Sequence, residues 1–109
     1  MKTASLAPLK ERSSHIAPIL RACANEQRIR ILWRLADNRD GVPTVTLVLE
    51  SKLSRSAISQ HLAVLRRRGI VVPRKIGRNV FYRLADAKTA EFVVKLREVI
   101  AVSYGHDAS

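Results

Sequence analysis

Cysteine is nearly absent from this chain: Cys23 stands alone among 109 residues. One thiol cannot form an internal disulfide, which excludes the cysteine-stapled framework of small secreted domains. Long apolar runs are missing too. None approaches the ~20 residues that a membrane-spanning helix needs, and Met1–Lys10 has no apolar stretch of signal-peptide length. The expected location is therefore the cytoplasm. The chemistry of catalysis is equally thin. No nucleophile beside a base, no paired carboxylates and no phosphate-cradling loop stand out, so an enzyme is not expected. His15, His61, His106 and Cys23 are scattered without metal-ligand spacing, so neither a metal site nor a cofactor is expected. No internal repeat or second domain is visible, and a chain 47% hydrophobic at this length suits one domain with its own core.

The most informative absence is positional. Twenty Lys and Arg outweigh nine Asp and Glu, giving a formal net charge of +11. Between Ser51 and Ala85 there is no acid at all, against nine basic residues: Lys52, Arg55, Arg66, Arg67, Arg68, Arg74, Lys75, Arg78 and Arg83. Such a field attracts polyanions, with nucleic acid the first candidate and an anionic membrane surface the second. A merely solvated basic surface is the plainer reading. Concentration on one stretch favours phosphate neutralisation, in which each contact releases counterions and affinity falls steeply with salt.

Residues 1–14 read as a flexible N-terminal arm, 15–102 as the folded unit and 103–109 as a C-terminal tail. From His15, apolar Ile16, Ile19, Leu20 and Cys23 follow helical spacing, with Pro18 expected in the first turn. Asn25 is placed to cap a second helix whose apolar face is Ile29, Leu32, Trp33, Leu35 and Ala36, with Gly41 as its stop. The segment TVTLVLE, Thr44–Glu50, fits a strand by its β-branched content. It also fits a short helix with Val45, Val48 and Leu49 on one face. Ser54 then caps a helix that Gly69 ends, with Ile58, Leu62 and Leu65 spaced for a core face. Beyond Gly69 the period falls to two. Val71–Ile76 and Val80–Leu84 flank a Gly77-Arg78-Asn79 turn signal, a β-hairpin with a basic tip. Asp86 caps a last helix with apolar Phe92, Val93, Leu96, Val99 and Ile100.

On the helix from Ser54, the side opposite the core face carries Ser56, Ser59, Gln60, Ala63 and Arg67. This face is slim, and its groups are those that read base edges in a major groove: Gln pairs with adenine, Arg with guanine, Ser with several partners. A simply solvated face would more often carry Glu/Lys pairs, and here no acid is present. A short helix, a turn, a reading helix and a basic hairpin, in that order, make a winged helix-turn-helix, mainly α with a small β-hairpin. That order settles Thr44–Glu50 as the supporting helix, since context overrides propensity on so short a segment.

Three stretches carry a family likeness: NEQRIRILWRLAD, LSRSAISQHLAVLRRRGIV and RNVFYRLAD. With them the chain resembles the ArsR/SmtB family of dimeric bacterial repressors from about Ile16 to Val102. FYRLADAKTAEFVVKL is most similar to the persulfide-sensing and nodulation-regulator branches. The resemblance implies about five helices with a winged hairpin, a homodimer built from the first and last helices, and a palindromic operator. It does not carry the family's sensing chemistry across. Pro43 and Val45 occupy the Cys-x-Cys positions. Asp86 is present, but Lys88, Val99 and Val102 replace its metal-binding partners. Trp33 and, approximately, Ala101 stand where the paired cysteines would be.

The expectation is thus a homodimeric repressor of duplex DNA. Ser56, Ser59, Gln60 and Arg67 would meet bases and phosphates in the major groove, and His61 would make a phosphate contact or a local hydrogen bond. Lys52 and Arg55 would hold the backbone at the helix entrance, and Arg74, Lys75 and Arg78 would place the wing. Cys23 is most often a buried small hydrophobe at such a position, with redox sensing as the sharper alternative. The rival from another class is a basic structural protein that neutralises DNA or RNA without reading sequence. A protein-interaction module using the last helix is a third possibility.

Overall fold

The computed structural model describes residues 5–103; the rest of the expected arm and tail, 1–4 and 104–109, lie outside the described residues. A single 3-10 turn, Ala7–Leu9, runs into α1, Lys10–Cys23. The helix thus starts at Lys10 rather than His15, and Pro18 lies inside it. An interior proline usually ends a helix because it removes one backbone bond and crowds the preceding turn. Here Ile19, Ala22 and Cys23, just beyond it, pack on the core and hold the chain helical. Ser14, whose carbonyl loses its partner, faces solvent.

Asn25 caps α2, Glu26–Ala36, accepting the Arg28 amide at 3.0 Å. The buried residues are Ile31, Leu32 and Leu35. Ile31 was not on the expected face, and Ile29 and Trp33 are only partly buried. Nor does Gly41 stop the helix. It closes a turn farther on, its N–H donating to Asn38 at 2.9 Å with φ of +117°. That φ strains any side chain there, and its Cβ would stand in contact with Phe81 and Tyr82, 3.4 Å from each. This close approach seats an unexpected short strand, β1 (Val42–Pro43), against Tyr82 and Phe81.

Thr44–Ser51 is helical, α3, as the motif order required. Its phase differs from expectation: Leu47 is buried and Val48 half-buried, while Val45 and Leu49 are exposed. The phase is set from outside the segment. The Thr44 hydroxyl donates to the Val80 carbonyl at 2.9 Å, turning the first residue toward the hairpin.

The three-residue turn Lys52–Ser54 leads into α4, Arg55–Arg67. Ser54 caps it by accepting the Ala57 amide at 3.0 Å. Ile58, Leu62 and Leu65 are 0%, 1% and 0% exposed, the centre of the core. At the far end Gly69 (φ +70°) donates to Arg66 and Ile70 to Leu65, the paired bonds of a Schellman stop.

β2 (Val71–Ile76) and β3 (Asn79–Leu84) form the wing, antiparallel, with Ile76 opposite Asn79. Only Gly77 and Arg78 lie between them. A positive φ at Gly77 (+62°) but not at Arg78 suits a type II′ hairpin turn. The sheet order β1-β3-β2 leaves Pro43 and Pro73 on the two outer strands, where the missing amide costs no central ladder bond. Asp86 receives the Thr89 amide at 2.8 Å and starts α5, Ala87–Ser103. Ala90 and Val93 bury one side of α5, and Arg97 donates to the Trp33 carbonyl of α2 and to Asp37 just past its end.

Candidate nucleic-acid interface

The core side of α4 fixes what its other side presents. With Ile58, Leu62 and Leu65 packed, Ser56, Ser59, Gln60 and Arg67 are all exposed along the opposite face. The wing stands beside this face. A cleft of about 290 Å³ lies between Arg55, Ser59 and Leu62 of α4 and Arg78, Asn79, Val80 and Tyr82 of the wing, with Thr44 and Val45 of α3 also lining it. α4 and the wing tip therefore share one concave surface, with no Asp or Glu among its lining residues. Thr44 and Asn79 were not among the expected site residues, because neither differs in sequence from an ordinary helix start or turn.

The strand pairing divides the wing's cations. Lys75 lies opposite Val80, and Pro73 opposite Tyr82, so Lys75 shares the side that lines the cleft. Arg74 lies opposite Phe81 and sits on the other side. Both are exposed, as is Arg78 at the tip.

Lys52 occupies the turn before α4 with a left-handed backbone, φ +62°, its N–H donating to Val48 at 3.1 Å. A non-glycine residue there carries strain of about 1 kcal/mol. Lys52→Gly is predicted to leave the urea midpoint unchanged or higher while operator affinity falls several-fold. Loss of stability with unchanged binding would remove Lys52 from the interface.

His61 is not brought to this face. It turns inward, half-buried, with Nδ1 3.4 Å from a guanidinium nitrogen of Arg28, whose Nε donates to the Ala22 carbonyl at 2.5 Å. This is a tertiary contact, not the local hydrogen bond or phosphate contact expected from the sequence, and it requires neutral His61 to carry its proton on Nε2. Arg28 was missed, since only the fold brings it to His61. Burial, and then the Arg28 charge, push the His61 imidazole below its ordinary pKa. The unfolded chain therefore binds this proton more readily. His61's contribution to stability is intact above about pH 6.5 and is lost as pH falls through the depressed folded value. The urea midpoint is predicted to drop between about pH 7.5 and pH 5.5, and less so in His61→Gln. An equal drop in both would assign the effect to other groups.

Cys23 is buried, and that burial raises its thiol pKa against a smaller opposing effect of Arg28. Among the described residues no three His, Cys, Asp or Glu side chains gather as a metal site requires. Also among them, no helix is long and apolar enough to cross a membrane.

A slim polar helix backed by a buried stripe, flanked by a basic wing on a face without acids, defines a winged helix-turn-helix DNA-binding regulator. Known proteins narrow the class. The transcriptional activator HlyU of Vibrio cholerae is 39% identical over 95 residues, covering 87% of this chain and 86% of that protein. One structure of it superposes with a TM-score of 0.75 over 81% of this chain and 94% of that chain. The SmtB homolog of Synechocystis, a transcriptional repressor, is 36% identical over 76 residues, 70% of this chain and 56% of that protein. NolR from Sinorhizobium fredii is 28% identical with a TM-score of 0.72, over 91% of this chain and 96% of that chain. No family model matches the chain. On these relatives the chain belongs to the ArsR/SmtB family, and it is a DNA-binding transcriptional regulator.

Proposed function

We propose that the protein is a cytoplasmic, homodimeric repressor that binds a palindromic operator through two copies of α4 and the wing. The observation that supports this most is the division of α4. One side is entirely buried, and the other offers Ser56, Ser59, Gln60 and Arg67 beside the cleft that holds Arg55 and Arg78. Gln60 and the serines read base edges, while Arg55, Lys52 and Arg67 hold phosphates at the ends of the helix. Arg78 and Lys75 follow the backbone or enter the minor groove from the wing, with Arg74 on its outer side.

The dimer is supported by apolar surface left open on α1 and α5. Ile16, Leu20, Phe92, Val99 and Ile100 are 42%, 47%, 39%, 56% and 37% exposed. Phe92 and Val99 are seven residues apart and share one side of α5, adjoining the side that Ala90 and Val93 bury. A two-fold pairing of these helices would cover both stripes and set two reading helices one turn of DNA apart.

Competition binding tests the proposal. A palindromic duplex from the control region of the protein's own gene should be preferred over random duplex by roughly a thousandfold or more. Equal affinity for both, or a preference for RNA, would establish the rival basic protein instead. Two substitutions should separate reading from anchoring. Gln60→Ala is predicted to relax preference at one base step by about 1–3 kcal/mol. Arg78→Ala should weaken all duplexes alike and reduce the salt slope by about one. If the two show the same signature, the division of labour between helix and wing is wrong.

A further inference from the structure

A second concave site lies behind the reading unit. Ile31 of α2, Leu47 of α3, Leu53 of the turn and Ile58 of α4 form the apolar floor of a groove of about 190 Å³. Its rim carries Gln27, Arg30, Arg34, Glu50 and Ser51. From this groove we infer a binding site for a small monocarboxylate with a compact apolar body, whose occupancy weakens DNA binding; the second half rests on the repressor reading above.

The polar groups on the rim are unequally committed. Arg34 is engaged: its guanidinium donates to both Glu50 oxygens, at 2.7 and 3.2 Å, and to Asn38 at 2.6 Å. Ser51 is engaged as well, donating to Val48 and accepting the Leu53 amide. Among the described residues Arg30 makes a single hydrogen bond, from one terminal nitrogen to the Gln27 side-chain amide oxygen at 3.2 Å. That contact uses the acceptor of Gln27 and leaves its amide N–H groups, with most of the Arg30 fork, available. What the rim offers a guest is therefore donors carrying positive charge, the partner of a carboxylate.

The floor sets the rest of the guest. Apolar walls penalise a hydrated inorganic anion, and the guanidinium favours an acid over a neutral molecule of the same shape. The volume lies below the roughly 300 Å³ at which drug-sized pockets begin, which limits the guest to something of the size of benzoate. Coupling follows from the position of the floor. Leu47, Leu53 and Ile58 belong to the supporting helix, the turn and the reading helix in turn. Ile58 is fully buried on the side of α4 opposite Ser56 and Gln60. Ile58 has no solvent-open surface of its own, so a guest bears on the junction of α3, the turn and α4 above it and changes the seating of the reading helix relative to the wing.

The test uses the full chain with benzoate as probe, acetate as the charge without the body, and benzyl alcohol as the body without the charge, at matched ionic strength. Backbone amide shifts should localise benzoate to Gln27–Arg34, Leu47–Leu53 and Ile58. Half-saturation is expected on the order of 1 mM, within reach of a ligand of so few atoms. Acetate and benzyl alcohol should bind at least tenfold more weakly. Arg30→Gln, at an exposed position that should not disturb folding, should lose most of the affinity, and Arg30→Lys should regain part of it. Saturating benzoate should lower operator affinity several-fold in the unsubstituted protein and leave Arg30→Gln unaffected. Equal binding of acetate, or shifts centred on Arg55, Arg74 and Arg78, would overturn the site as general anion attraction. No saturable binding would overturn it directly. Groove binding with unchanged operator affinity would overturn the regulatory half. Titration of operator without carboxylate decides the repressor reading by itself, so the two failures are distinguishable.

Discussion

Glutamate at both Phe92 and Val99 is expected to make the protein monomeric and to lower its affinity for a palindromic duplex by at least about a hundredfold. Each half-exposed side chain among Ile16, Leu20, Phe92, Val99 and Ile100 gains roughly 1 kcal/mol when its remaining surface is covered. Counted over two protomers, that is on the order of 10 kcal/mol to set against the cost of association. The double variant would bury four carboxylates across a two-fold axis, each costing several kcal/mol in an apolar seam. The protomer should still fold, because Ala90, Val93 and Arg97 hold α5 to the domain from another side. Sedimentation velocity reports the assembly and fluorescence anisotropy the operator affinity. Glu98→Lys, exposed on the polar side of the same helix, serves as control. A double variant that remains dimeric would move the interface away from α5.

The second large effect is on stability and contrasts the two sides of α4. Leu65 is fully buried, and Leu65→Ala is expected to cost about 3 kcal/mol. At roughly 4–8 °C per kcal/mol for a domain of this size, the melting midpoint should fall by more than about 12 °C. Ser59→Ala, on the same helix but exposed, should stay within about 0.5 kcal/mol while weakening operator binding. Urea unfolding and anisotropy on both variants give the comparison. If Ser59→Ala destabilises as much as Leu65→Ala, the helix does not divide as described.

The caps and the helix that begins after Ser54 are legible in the sequence alone. Asn25, Ser54 and Asp86 each accept the amide three residues on, a local interaction that residue type and position announce. The stripe Ile58–Leu62–Leu65 was legible for the same reason, since helical period alone assigns its side. What failed depended on distant residues. Pro18 reads as a helix start until the packing of Ile19 and Cys23 is known. The phase of α3 depends on a bond from Thr44 to Val80, far along the chain, and β1 exists only because β3 offers it an edge. In the site, periodicity found the exposed face of α4. It could not show that His61 turns inward to Arg28, or that Arg74 and Lys75 fall on opposite sides of the wing.

The prolines on the two outer strands have a consequence beyond local geometry. A three-stranded sheet on a DNA-binding protein is at risk wherever many copies crowd along one duplex, because an open strand edge can template a strand from a neighbour. Here β3 is shielded on both sides, and each outer strand carries a residue with no amide hydrogen to offer, at Pro43 and at Pro73. Arg74 and Lys75 add like charge along the longer edge. Edge-to-edge stacking of copies into a fibre is thereby discouraged.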